Sequence, residues 1–372
     1  MSAPNYLPEI AWSFLKLGCI SFGGPVAHLG YLREECVVKR HWLDDAIYSD
    51  LVALCQFLPG PASSQLVFAL GRHRGGLQGA VLASACFTLP SAVLMILFAY
   101  GVSMLGNLQS TGWLHGLKLA AVAVVAQAVW GMGRKLCPDA ARFSMAVIVA
   151  AAVLLLQGAL AQVGAIAAGG VLGWWIYRRD LAAPPIVAHK SETVKRSSRS
   201  WAAGALLLAV GLLAVLPMLT AALGGRGLAL FDSFYRAGAL VFGGGHVVLP
   251  LLRQEVVPAG WLSDNAFLAG YGAAQAVPGP LFTFAAYLGT AIQGGPHAWL
   301  GGVWCLLAVF LPGWLLIGGA LPFWNRLRTK AGVQAAMRGA NAAVVGVLLA
   351  ALYNPVWREG VHGPSDVAAV LL

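Results

Sequence analysis

Hydrophobic residues run along this chain in long blocks, without the alternation of a half-buried strand or the single stripe of a soluble helix. The blocks at 77–105, 112–132, 201–223, 299–321 and 333–353 are each about 20 residues or longer, enough to cross roughly 30 Å of hydrocarbon as a helix. The stretch 144–177 is too long for one crossing and predicts a tight pair of short ones. Lipid offers no partner to unpaired backbone groups, and the in-and-out alternation of a membrane barrel is missing, so the blocks predict helices. The fold class that follows is an all-α polytopic integral membrane protein.

Composition agrees: 59% of the 372 residues are hydrophobic and 10% charged, against about 25% charged in a soluble domain. The net charge of +10 collects in loop arginines and lysines, as the positive-inside rule describes. No basic face with interleaved aromatics points to nucleic acid. The six cysteines (Cys19, Cys36, Cys55, Cys86, Cys137, Cys305) are scattered without a C-x-x-C pair and suggest neither zinc nor a disulfide framework. The opening MSAPNYLPEI has no basic n-region, which argues against a cleavable signal peptide. Metal-ligand spacing, a Walker loop and a nucleophile elbow are all missing, so no catalytic residue, cofactor or metal is predicted.

The chain is read as a duplication. FLKLGCISFGGPVAHLGYLREECV (14–37) lies over FYRAGALVFGGGHVVLPLLRQEVV (234–257) without a gap. After a one-residue deletion, WLDDAIYSDLVALCQFLPGP (42–61) lies over WLSDNAFLAGYGAAQAVPGP (261–280), and FTLP (87–90) answers VFLP (309–312). A repeat of this extent organises the whole reading. The first transmembrane repeat is assigned to 1–177, a basic linker rich in Pro and Ser to 178–200, and the second repeat to 201–372. Residues 366–372 match the start of the short pair in the first copy, so the second copy is expected to be truncated at its C-terminal end.

Loop charges orient the copies. Arg72 and Arg74 follow the first Pro-Gly-Pro while the next loop, 106–111, is uncharged; in the second copy 292–297 is uncharged and Arg326, Arg328 and Lys330 follow. Basic loops favour the cytoplasm, so the copies are expected to insert with opposite topology, N-terminus and linker inside. Inverted repeats with broken helices are a common architecture of secondary transporters.

Each copy carries two helix breakers, Gly23-Gly24-Pro25 and Pro59-Gly60-Pro61 in the first, Gly243-Gly244-Gly245 and Pro278-Gly279-Pro280 in the second. Pro25, Pro61 and Pro280 suit the start of a new half-helix, whose free N–H groups and dipole attract an anion that glycine lets approach closely. Kinks that serve only helix–helix fit are the alternative. Lys16 and Arg236 lie seven residues before the first glycine of their breaks, about two turns; they supply positive charge to the site or snorkel to the interface. His28 and His246 could donate to an oxyanion or carry a proton. Gln56 and Gln275 precede each Pro-Gly-Pro and offer amides; Ser63, Ser64 and Thr283 follow it, as ligands or as caps. Arg33 with Glu35, and Arg253 with Glu255, are expected to pair at helix ends, and Asp44 and Ser263 to cap the helices after them. Deep carboxylates that a cation path needs are scarce, Asp50 and Asp232 both falling near span ends.

SFGGPVAHLG, LVALCQFLPGPASSQ and FTLPSAV in the first half, with VFGGGHVVLPLL and GYGAAQAVPGPLFTFAAYLG in the second, resemble the signature segments of the chromate ion transporter family in its long-chain, two-repeat type. What the resemblance implies is a bacterial inner-membrane carrier that exports chromate and gives chromate resistance. It points to Gly23, Gly24, Pro25, His28, Pro59, Gly60, Pro61, Gly243, Gly244, Gly245, His246, Pro278, Gly279 and Pro280. The residues themselves do not separate chromate from sulfate, and they leave open an uptake carrier for a tetrahedral oxyanion, a membrane-embedded lipid-phosphate enzyme, and a homodimer. Partners are thus a small oxyanion and membrane lipid.

Overall fold

The first apolar stretch does not form one helix. In the computed structural model, which describes residues 6–104, 112–156, 159–178, 199–241, 248–292, 296, 298–324 and 330–371, helix α1 runs Leu7–Ile20 and stops where the Ser21 N–H closes on the Leu17 carbonyl. Gly23 and Gly24 take φ of 90° and 74°, a left-handed geometry that glycine adopts without steric penalty. The chain then re-enters helix in α2, Gly24–Arg33, and passes through a π-helical turn at Glu34–Lys39. Helix α3 (Asp45–Phe57) starts on the Asp44 carboxylate, which accepts the Ile47 N–H at 2.7 Å, and the helix over Asp264–Ala276 starts on Ser263, whose hydroxyl accepts from the Ala266 N–H.

Helix α4, Ala62–Met104, leaves helical geometry at Gly75 and Gly76, so its long apolar part begins at Leu77. Then follow α5 (Gly112–Leu136), α6 (Ala140–Leu156), α7 (Ala159–Tyr177), α8 (Arg199–Leu223), α9 (Arg226–Ala239), α10 (Val248–Val256) and α11 (Asp264–Ala276). A 3₁₀ turn at Leu281–Thr283 leads into α12 (Phe284–Ala291); α13 (Trp299–Ala320), α14 (Ala331–Ala351) and α15 (Pro364–Leu371) complete the chain. Among the described residues every regular element is helical, and four stretches, 62–104, 200–223, 299–323 and 331–354, are long and apolar enough to cross a membrane. The protein is an all-helical, multi-pass membrane protein. The stretch 144–177 falls into the two short helices α6 and α7, while most of the basic linker, 179–198, lies outside the described residues.

The helices gather into two compact units. The first holds residues 1–100, 187–245 and 276–324, hence α1–α4, α8, α9, α12 and α13. Its core is built on Ile10, Phe14 and Leu17 of α1 with Leu66, Leu70 and Phe87 of α4. A Cβ on Gly18 would stand 2.6 Å from the Phe87 carbonyl oxygen, and one on Gly238 would stand 2.0 Å from the Val309 carbonyl oxygen. These positions align in the sequence, and α1 meets α4 as α9 meets α13, through a glycine that lets backbones touch, as membrane helices often do. At one end Glu9 collects Arg40 (3.2 Å), Arg74 (2.9 Å) and the Trp42 indole N–H (2.9 Å).

The second unit holds residues 101–186, 246–275 and 325–372. There α14 lies against α6 and α7 with glycine and alanine at the seam, Gly339 facing Gly169 and Gly173, and Gly346 facing Ala146. The ion pairs differ from the sequence expectation. Arg33 binds Asp45 through two bonds of 2.7 and 2.8 Å, and Arg253 binds Asp264 at 2.7 Å; Glu35 binds Arg40 at 2.6 Å. Residues two apart on a helix do not face each other, whereas the first residue of the following helix comes back within reach in both copies.

Candidate functional site

The two Pro-Gly-Pro turns lie in the first unit, and each is tied to a residue of the other half of the sequence. The Gly60 N–H donates to the Val241 carbonyl at 2.6 Å, and the Gly279 N–H donates to the Ser21 carbonyl at 2.8 Å. Ser21 and Val241 are matched residues just before the two glycine breaks, so the bonds are reciprocal. Both turn glycines have positive φ, 119° and 99°. A Cβ on Gly60 would lie 3.3 Å from the Gly313 Cα, and one on Gly279 would lie 3.2 Å from the Ser91 Cβ. Gly313 and Ser91 are again matched, each following the Leu-Pro of its own copy. These two N–H groups are occupied, whereas helix N–H groups at the first turn of α4 and of α2 have no intrahelical acceptor.

What dresses the first turn was only partly legible. Ser63, Ser64 and Gln65 are all buried there, 5%, 3% and 0% exposed. The Gln65 amide Nε2 donates to the Pro59 carbonyl at 2.8 Å, which pins the turn to the helix it starts. Its Oε1 and the Ser64 Oγ are buried with no hydrogen-bond partner, an arrangement that costs about 1–3 kcal/mol per group unless something binds there. Gln56, by contrast, is exposed on α3. In the second copy Thr283 is buried and its hydroxyl donates to the Pro280 carbonyl at 2.8 Å. Its single proton is committed to the turn. Gln275 is half-buried at the end of α11 and hydrogen-bonds Tyr271. Pro61, Gly60, Gly279 and Pro280 are buried, and Pro59 and Pro278 half-buried.

At the first glycine break His28 is 1% exposed. Its Nε2–H donates back to the Ser21 carbonyl at 3.1 Å, the same oxygen that receives Gly279, and its ring stands edge-on to Phe87. A Cβ added to Gly24 would meet nothing within 4 Å, so the backbone that precedes Pro25 is open on that flank. Gly243, Gly244, Gly245 and His246 lie outside the described residues.

Lys16 and Arg236 each have a carboxylate beside them. Lys16 stands 3.8 Å from Glu35 and is 45% exposed, on the face of α1 opposite its buried one. Arg236 reaches Asp232, one turn earlier on α9, at 3.1 Å. Asp232, placed near a span end by the sequence reading, is 4% exposed. Glu35, which also binds Arg40, comes to Lys16 from a π-helical turn, whereas Asp232 comes to Arg236 from one turn back on the same helix.

Comparison with known proteins places this arrangement. The Chromate transporter family profile matches residues 8–174 and 228–372. A Pseudomonas aeruginosa protein named chromate transport protein is 30% identical over 93% of this chain and 80% of its own. A second chromate transport protein, from Cupriavidus metallidurans, is 28% identical over 100% of this chain and 88% of its own. A probable chromate transport protein of Synechococcus elongatus is 28% identical over 96% and 87%. No solved structure matches. The family profile spans both Pro-Gly-Pro turns, and the chain belongs to the chromate transporter family.

Proposed function

We propose that this protein exports chromate across the inner membrane of a bacterium, as a carrier made of two inverted repeats, and thereby gives chromate resistance. The observation that carries the mechanism is the reciprocal pair of bonds from Gly60 to Val241 and from Gly279 to Ser21. Each copy's Pro-Gly-Pro turn rests on the residue that precedes the other copy's glycine break, the relation expected where two inverted halves meet at a substrate site. The anion docks beside the first turn of α4, where Ser63, Ser64 and Gln65 supply buried polar groups and the helix start supplies N–H groups and a partial positive charge. The open flank of Gly24 and the ring of His28 contribute from α2. Arg236 turns from Asp232 toward the anion when it arrives, which supplies the charge that dipoles of about half a unit cannot.

An inside-negative potential favours outward movement of a dianion by about 4.6 kcal/mol at 100 mV, at about 2.3 per charge, so no nucleotide is needed. Sulfate has the same shape and charge and competes for the site. Everted membrane vesicles containing the protein, energised to be positive inside, should accumulate labelled chromate above vesicles without it, and sulfate should reduce the signal. Accumulation only in right-side-out vesicles would instead support an uptake carrier, and none in either would refute chromate transport.

A further inference from the structure

We propose that His115, His362 and Asp366 form a binding site for a divalent transition-metal ion of the zinc class, within the second unit and independent of the anion site. The three side chains converge from two places in the sequence. His115 lies in the first turn of α5, while His362 and Asp366 flank the start of α15. The His115 Nε2 stands 2.8 Å from Asp366 Oδ1, the His362 Nδ1 stands 3.9 Å from Oδ2, and one donor atom from each residue lies within 4.8 Å of the others. Tetrahedral zinc with bonds near 2.1 Å sets its ligand atoms roughly 3.3 Å apart, inside that spread.

The donor set fits the same chemistry. Two imidazoles and one carboxylate suit zinc, cobalt and nickel better than magnesium or calcium, which prefer all-oxygen shells. The carboxylate is already oriented, since Oδ2 accepts the His362 backbone N–H at 2.8 Å, and an outer bond of this kind strengthens a metal ligand. The two rings stand 5.7 Å apart and inclined at 40°, and His362 is 62% exposed, so an ion can enter from solvent and keep a fourth position for water. Once bound, it staples the segment 362–371 to the start of α5. A plain hydrogen bond between His115 and Asp366 explains two of the three residues. It gives no reason for a second imidazole to share the carboxylate.

The test uses the purified full chain, with any affinity tag removed and metal stripped. Cobalt should bind with one ion per chain and give the visible d–d absorption of a low-coordinate site, and zinc should displace it. Zinc should also shield His115 and His362 from diethylpyrocarbonate, read by mass spectrometry, while the exposed His41 stays reactive. His115→Gln, His362→Gln and Asp366→Asn should each weaken cobalt binding by more than about tenfold. Absence of cobalt binding, full affinity in all three variants, or zinc shielding that spares His115 and His362 would each overturn the site. The footprint on the unaltered protein decides the matter even if a variant fails to fold.

Discussion

The two Pro-Gly-Pro turns share a backbone and differ in what they display. In each, a glycine with φ above 90° gives its N–H to the other copy and rests against the residue after that copy's Leu-Pro. Past the turn, the first copy reads Ala-Ser-Ser-Gln and the second Leu-Phe-Thr-Phe. Ser64 Oγ and Gln65 Oε1 are buried without partners, while Thr283 is closed on its own turn and Phe284 stacks with Tyr287. The two aligned segments therefore share a backbone frame, and among the described residues buried polar groups without partners follow the first turn only. A dianion should be held on the first copy's turn, with the second acting as its rigid counterpart.

Disrupting the shared frame should have the largest effect. Gly60→Val and Gly279→Val force a β-branched residue to positive φ and press on Gly313 or Ser91. Strain and overpacking together should cost on the order of 2–4 kcal/mol. Both variants should lose thermal stability and transport alike. If one keeps its stability and its chromate flux, the two turns are not equivalent in structure and the symmetric frame fails.

The cations come next. Arg236→Gln removes the guanidinium that reaches the buried Asp232 at 3.1 Å, at a cost of about 1–3 kcal/mol, and should raise the Km for chromate several-fold. Adding Asp232→Asn should restore stability but not Km, because only an arginine that contacts the anion is missed in transport. Recovery of both would make the pair purely structural. Lys16→Gln breaks a half-exposed pair worth about 0–1 kcal/mol and should change Km less than Arg236→Gln, in transport assays at matched abundance.

A smaller contrast separates two glutamines. Gln65→Leu removes the amide that satisfies the Pro59 carbonyl and should lower stability by about 1–2 kcal/mol with a rise in Km. Gln56→Leu, on an exposed surface, should stay within about 0.5 kcal/mol. Equal effects in thermal unfolding and flux would mean that the first turn of α4 is nothing special.

The sequence was informative where a residue type has one dominant physical use. Apolar blocks marked the long helices, and glycine and proline marked the break after α1 and the start of α4, because few other residues suit those positions. Asp44 and Ser263 were readable as caps for the same reason. Contacts between segments were harder. Glu35 meets Lys16 from a π-helical turn in a later segment, and Arg33 and Arg253 reach past the nearest glutamate to Asp45 and Asp264. Gln65 and the exposed Gln56 are the same residue type, so only the polar run around Gln65 sets it apart. One signal was available: Ser63, Ser64 and Gln65 stand together directly after a break, and three consecutive polar residues in an apolar block imply a shared partner.

The central claim, that the anion is held by the first copy's turn and not the second's, is tested most directly by one pair of hydroxyl deletions. Chromate flux into energised everted vesicles should be measured against concentration for Ser64→Ala and Thr283→Ala at matched abundance. Loss of the free hydroxyl of Ser64 should raise Km several-fold, at about 0.5–1.5 kcal/mol for a neutral hydrogen bond and more to a charged group. Thr283→Ala, whose proton already serves Pro280, should leave Km unchanged. The reverse pattern, or no change in Ser64→Ala, would contradict the account.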